Sequence, residues 1–210
     1  MTLAFAGIIA GFAHVLSGPD HLAAIAPYAV AGKARAWRTG VRWGFGHSAG
    51  VIAVGLLAVL FRDALHVDAL SAWGERCVGL VLIAIGVRGL RTALAVARRS
   101  HAATPPHRHT PFAIGTVHGL AGSSHLLGVV PALMLPSEPD ACIYLFLFGV
   151  GSITAMGAFS SFVGWFADRR FGRGAAAQST LLAACSVAAV VVGCFWLLAQ
   201  LWPTTASALA

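Results

Sequence analysis

Of 210 residues only 21 are charged, while 58% are hydrophobic, a composition that excludes a water-soluble globule. At about 20 apolar residues per bilayer crossing the length allows several spans, so the chain reads as an integral membrane protein. The net charge of +7 does not point to nucleic acid, because the basic residues sit in short clusters between long uncharged runs.

Stretches free of Asp, Glu, Lys and Arg cover 1–32 (interrupted only by Asp20), 43–61, 77–87, 110–137, 141–167 and 174–210, which predicts six membrane helices. In the first, the pattern predicts helix from Leu3 to Leu16, a break at Ser17-Gly18-Pro19 and a second helix from Asp20 to Ala31. The pieces would measure roughly 21 and 18 Å, placing a buried break near mid-bilayer. Pro19 suits the first turn of the restarting helix, with Ser17 or Gly18 as its cap, and unpaired carbonyls of the first piece are expected to face a cation beside Asp20. The third uncharged run has 11 residues and reaches spanning length if the helix begins near Leu70 and Arg88 and Arg91 snorkel. In the fourth span, Gly122-Ser123-Ser124 is the expected counterpart of the break.

Twelve of the 14 basic residues fall in the odd-numbered connections, around Lys33–Arg42, Arg88–Arg108 and Arg169–Arg173. The positive-inside bias therefore puts odd loops in the cytoplasm and both termini outside. The first segment has no basic leader, so a cleaved signal peptide is not expected. Cys77, Cys142, Cys185 and Cys194 form no Cys-x-x-Cys pair and are read as small buried packing residues.

Sliding the chain by 104 residues lays His14-Val-Leu-Ser-Gly18-Pro-Asp20-His21-Leu over His118-Gly-Leu-Ala-Gly122-Ser-Ser124-His125-Leu, with five identities. One residue further, Gly44-Phe-Gly46-His47 falls over Gly149-Val-Gly151-Ser152. The expected fold is an all-α integral membrane protein of six transmembrane helices, arranged as two inverted three-helix repeats with helices 1 and 4 broken near mid-membrane. Residues 1–97 form the first repeat, 98–111 a His-rich cytoplasmic loop and 112–210 the second repeat, within one membrane domain.

Ionisable side chains inside a span are costly, so those present are functional candidates. His14, Asp20, His21, His47, His118 and His125 offer imidazole nitrogen and one carboxylate, a set that suits nickel, cobalt, zinc or copper better than magnesium or calcium. The second half has Ser124 where the first has Asp20. In the loop, His101, His107 and His109 are read as solvated, with loose metal capture as the alternative, and His66 in an outer loop is read as solvated.

His14-Val-Leu-Ser-Gly-Pro-Asp20-His21-Leu-Ala-Ala, Gly-Phe-Gly46-His47-Ser48, Thr-Val-His118-Gly-Leu-Ala-Gly-Ser and Phe-Gly-Val-Gly151-Ser152-Ile-Thr-Ala-Met156-Gly157 together resemble the nickel/cobalt transporter family, in particular its UreH-like branch. The resemblance implies secondary transport of Ni²⁺ or Co²⁺ across a bacterial or archaeal cytoplasmic membrane, with metal recognition by His14, Asp20 and His21 supported by His47. It also implies urease or hydrogenase maturation proteins as partners for some members. The better-studied permeases have four residues between the first His and the Asp-His pair, whereas this chain has five, including Gly-Pro. Metal preference and direction of transport are therefore not carried over, and the sequence leaves oligomeric state open.

The expected mechanism is alternating access by rocking of the two repeats around an ion held at the helix breaks. No Gly-x-x-x-x-Gly-Lys motif occurs, so the energy source is expected to be the membrane potential, a proton gradient or a partner. The expected partners are thus the metal ion and the bilayer, with no cofactor, no nucleic acid and no enzymatic activity. Because histidine ligands must be neutral, affinity is expected to fall below about pH 6.5. Two alternatives are a membrane haem protein with paired histidine ligands and an intramembrane metallohydrolase, although His-Glu-x-x-His is lacking.

Overall fold

The structure, a computed structural model, describes residues 2–32, 35–60, 67–99, 110–121, 130–171 and 175–199. Among the described residues, seven helices of twelve residues or more carry the fold: α1 (Thr2–Ser17), α2 (Pro19–Gly32), α3 (Ala36–Leu60), α4 (Val67–Arg99), α5 (Thr110–Ala121), α6 (Glu138–Phe171) and α7 (Ala175–Ala199). No strand occurs among the described residues.

The side-chain distribution is that of a membrane protein. Large apolar residues such as Phe5, Ile9, Leu80, Phe146, Phe162, Val191 and Phe195 face outward, while Asp20, His21, His47, Ser48, His118, Ser152 and Gln178 are buried. Among the described residues, three helices are long and apolar enough to cross a bilayer, over Arg76–Arg98, Glu138–Arg170 and Ala176–Ala199. The α1–α2 pair makes a fourth if its two pieces, bent by 74°, form one span. The third predicted span thus gains its length as expected, from a helix that starts at Val67 and leaves Arg88 and Arg91 exposed. α3 is 25 residues long, but its first half carries Arg38, Arg42 and His47 in a glycine-rich frame. α5 has 12 residues, and the predicted break after it, at Gly122-Ser123-Ser124, lies outside the described residues.

Helix α6 shows how local sequence sets its limits. The Asp140 N–H donates to Ser137 Oγ at its start, Glu138 and Asp140 occupy the first turn, and Arg169 and Arg170 the last, each complementing the helix dipole.

Glycines let the helices touch backbone to backbone. A Cβ on Gly11 would collide with the Phe148 carbonyl and one on Gly151 with the Ile8 carbonyl, which locks α1 on α6. A Cβ on Gly115 would strike the Trp43 carbonyl and one on Gly46 the Phe112 carbonyl, which locks α3 on α5. These two sets correspond under the sequence offset: Gly11 with Gly115, Phe148 with Trp43, Gly151 with Gly46, Ile8 with Phe112. Within α4 and α7, Gly79 and Gly193 face each other's carbonyls. In residue order α1 runs parallel to α6 and α3 parallel to α5, whereas α4 and α7 are antiparallel. α3 and α6 are also antiparallel, with Gly40 against Ser160, Gly44 against Ile153 and Ser48 Oγ donating to the Gly149 carbonyl. The arginines that open α3 and those that close α6 therefore lie at one end, opposite Glu138 and Asp140.

The cysteine expectation is corrected. All four are free, but Cys77 and Cys142 are exposed on outward faces, where a thiol is compatible with lipid, and Cys185 and Cys194 are half-buried, Cys185 at the edge of the cluster of Val30, Ala93, Val96 and Leu182.

Candidate metal centre

The bend between α1 and α2 assembles the centre. In an unbroken helix His14 and His21 would be separated by about 10 Å along the axis. Here their ring centroids are 4.6 Å apart, because the 74° turn folds the end of α1 onto the start of α2. Pro19 opens α2, as expected, and Gly18 is required by close approach: a Cβ there would collide with His21 Nδ1 and reach Asp20 Oδ1 at 2.9 Å.

Ser17 and Pro19 are exposed and Gly18 half-buried, so the break lies on the outer surface of the helix bundle, and α2 turns inward from Asp20 onward, with Asp20, His21, Ala23, Ala24 and Ile25 buried. Two of its carbonyls are paired. The His14 carbonyl accepts from Gly18 N–H at 3.1 Å and from Ser17 Oγ at 3.2 Å, and the Gly18 carbonyl from the N–H groups of His21 and Leu22 at 3.1 and 3.3 Å. Ser17 thus caps the end of α1, while the Gly18 carbonyl accepts the first bonds of α2, so of the two expected caps Gly18 serves the restarting helix.

Asp20 is 2% exposed, a burial that a carboxylate tolerates only with partners. It has one on each oxygen: His21 Nδ1 at 3.0 Å from Oδ1 and His118 Nε2 at 3.2 Å from Oδ2. Because a carboxylate only accepts, the hydrogen bond with His21 orients that imidazole with its Nδ1–H toward Asp20, while His118 is held at ion-pair distance. His118 comes from the last turn of α5, so this carboxylate ties the second half of the chain to the first.

His47 completes the cluster from α3. Its ring centroid lies 4.9 Å from His21, 5.8 Å from His14 and 5.9 Å from His118. Gly115 and Gly119 allow α5 close enough to α3 to bring His118 there; a Cβ on Gly119 would collide with the His47 carbonyl. Two sets of donors result, His14 with His21 and His47, and Asp20 with His21 and His118. In each, one ligand atom per residue lies within 4.8 Å of the others. Shifts of about 1 Å bring such donors to the spacing of a tetrahedral ion with bonds near 2.1 Å.

Five of the six predicted site residues, His14, Asp20, His21, His47 and His118, are thus brought together. His125 lies outside the described residues, as do His66, His101, His107 and His109. Two aromatic neighbours escaped the sequence reading. Trp43 is fully buried, stacked on His47 at 5.1 Å and 5.1 Å from His118, and Phe148 lies 5.3 Å from His14. The signal for Trp43 was its place one helical turn before His47, in Trp-Gly-Phe-Gly-His.

No family model matches the chain, and no solved structure matches it. It is 39% identical over 183 residues to the Arabidopsis thaliana Chloroplast protein FOR GROWTH AND FERTILITY 1, covering 78% of this chain and 50% of that protein. FOR GROWTH AND FERTILITY 2 from the same plant is 39% identical over 178 residues, covering 78% and 47%. The chain therefore spans about half the length of these relatives. The urease accessory protein UreH of Bacillus sp. (strain TB-90) is 24% identical over 176 residues, covering 75% of this chain and 74% of UreH. None of the three is named as an enzyme, which agrees with the non-enzymatic reading. The chain is a helical membrane protein with a distant likeness to UreH, in keeping with its UreH-like motifs.

Proposed function

We propose that the protein is a secondary transporter of a divalent transition-metal ion, Ni²⁺ or Co²⁺ before Zn²⁺ or Cu²⁺, and that His14, Asp20, His21, His47 and His118 bind the ion. The observation that carries this reading is the convergence of four imidazoles and one carboxylate from α1, α2, α3 and α5 in a buried cluster. Nitrogen-rich ligation with a single carboxylate selects borderline transition metals over Mg²⁺ and Ca²⁺. The distant likeness to a urease accessory protein, whose name ties it to a nickel enzyme's assembly, favours nickel among them and makes urease maturation proteins the partners to test.

In this reading the chain holds six spans as two inverted three-helix repeats, and the ion sits where they meet. The reciprocal glycine contacts of α1 on α6 and α5 on α3, and the antiparallel α4–α7 pair, are what such a duplication produces. Rocking of one repeat against the other would expose the ion alternately. The basic ends of α3 and α6 face the cytoplasm, both termini lie outside, and the membrane is a prokaryotic cytoplasmic membrane.

Neither alternative gains from the geometry. A bis-histidine haem needs a slot for its macrocycle, whereas the rings of His14, His21, His47, His118 and Trp43 pack against one another. A hydrolase needs a general base, and the cluster's one carboxylate has both oxygens engaged. The test is Ni²⁺ and Co²⁺ uptake into proteoliposomes, expected to fall to background in His14→Ala, Asp20→Ala and His21→Ala. Wild-type uptake in all three variants overturns the proposal.

A further inference from the structure

We infer that the centre contains two overlapping ion stations that share His21, and that a divalent cation is handed from the three-imidazole station of His14, His21 and His47 to the carboxylate station of Asp20, His21 and His118. This rests on the metal-binding reading above and adds an order of events to it. Among the described residues the donors fall into these two trios; His14 and His47 group with His21 but not with Asp20, and His118 groups with Asp20 and His21 but not with His14.

Burial gives the direction. His14 is half-buried and adjoins the exposed Ser17 and Pro19, whereas His21 and His47 are fully buried, so the first station is the shallower one at its His14 side. Asp20, His21 and His118 are all interior, which makes the second station the deeper one. Charge agrees with burial: three neutral imidazoles leave the charge of a dication uncompensated, whereas Asp20 offsets half of it, and in an apolar interior that difference draws the ion inward.

The contacts of Asp20 supply a holding state. While the first station is filled, Asp20 is hydrogen-bonded to His21 Nδ1 through one oxygen and lies 3.2 Å from His118 Nε2 through the other, which keeps both rings beside it. When the ion moves, it takes the place of those contacts at Asp20, the proton that His21 Nδ1 held toward the carboxylate passes to the ring nitrogen the ion has left, and His21 serves as a ligand in both stations. The move also changes which helices carry the ion. The first trio lies on α1, α2 and α3, and the second adds α5, so the handover places the ion across the junction between the two halves of the chain. Because both stations need His21, and two dications so close together repel, one ion occupies the pair at a time.

The experiment compares Co²⁺ binding by the full chain in detergent with Co²⁺ uptake into proteoliposomes, for wild type, His47→Phe, His118→Phe and the double variant. Folding is checked by elution volume and helical circular dichroism. Each single variant keeps one intact station apart from the substituted ring, so each is expected to bind one Co²⁺ within about tenfold of wild-type affinity, at the low end of what a removed supporting group costs, yet to lose uptake. In the double variant both stations are broken and binding is lost. X-ray absorption of wild-type protein with Co²⁺ is expected to report no more than three imidazoles. His14→Ala, at the half-buried position, repeats the first-station test should His47→Phe fail to fold.

Four imidazoles around Co²⁺ in wild type would overturn the handover in favour of one shared site, as would a folded single variant that loses binding by more than about 100-fold. Wild-type protein that binds no Co²⁺ or Ni²⁺ at all would instead overturn the metal-centre reading itself.

Discussion

Asp20 is the residue whose replacement should say most about the centre. With an imidazole against each oxygen and almost no exposure, it cannot become an amide without one ring switching to its other tautomer to accept the new N–H. Asp20→Asn keeps the volume but removes the charge and one acceptor, so metal affinity is expected to fall by about 10- to 100-fold with the fold retained, measurable by calorimetry on purified protein. An affinity within twofold of wild type would show that Asp20 neither binds the ion nor orients its ligands. His14, Asp20, His21 and His47 were legible in the sequence because ionisable groups stand out against apolar surroundings, and their cost in a membrane demands a reason. Trp43 was not, since an indole in an apolar run is the ordinary content of a core. Its place one turn before His47 permits the stacking, but its contact with His118 of α5 is a tertiary fact that no spacing encodes.

Helices, more than single residues, decide where these groups meet, and here glycine sets the distances. At the α1–α2 bend, Gly18→Ala would drive a methyl into His21 Nδ1 and toward Asp20 Oδ1. The expected result is a loss of metal affinity of about tenfold, comparable to losing a supporting group, with thermal stability changed far less. Gly115 acts elsewhere, by admitting the Trp43 carbonyl and through it the whole α3–α5 contact. Overpacking by Gly115→Leu should cost about 1–3 kcal/mol, seen as a lowered unfolding temperature in detergent, and should spread the histidines apart. Equal stability of Gly115→Leu and wild type would contradict the close packing. The position of the break was legible, because Gly-Pro in an apolar helix has few other uses. Its capping was not: Ser17 and Gly18 were equally able to serve either helix end, and only the bend determines which carbonyls they reach. The partner exchange of α1 with α6 and α3 with α5 was equally hidden, since sequence periodicity says which residues repeat but not which repeats embrace.

On the scale of the whole molecule, the antiparallel packing of α3 against α6 joins two facts that the sequence presents far apart. Arg38 and Arg42 open one helix, Arg169 and Arg170 close the other, and both pairs lie at one end of the molecule, with Glu138 and Asp140 at the opposite end. A bilayer with a negative cytoplasmic leaflet favours one orientation of such an object, with the arginines inside. Arg38 and Glu138 are both exposed, so each can be replaced by cysteine without entering the core. In a background where Cys77, Cys142, Cys185 and Cys194 are replaced by serine, a membrane-impermeant maleimide applied to intact cells should label Glu138→Cys. It should leave Arg38→Cys untouched until the membrane is opened. Labelling of both positions from outside would mean that α3 and α6 do not traverse the bilayer together. The reverse pattern would turn the molecule over, with the arginine ends of α3 and α6 outside and Glu138 and Asp140 in the cytoplasm.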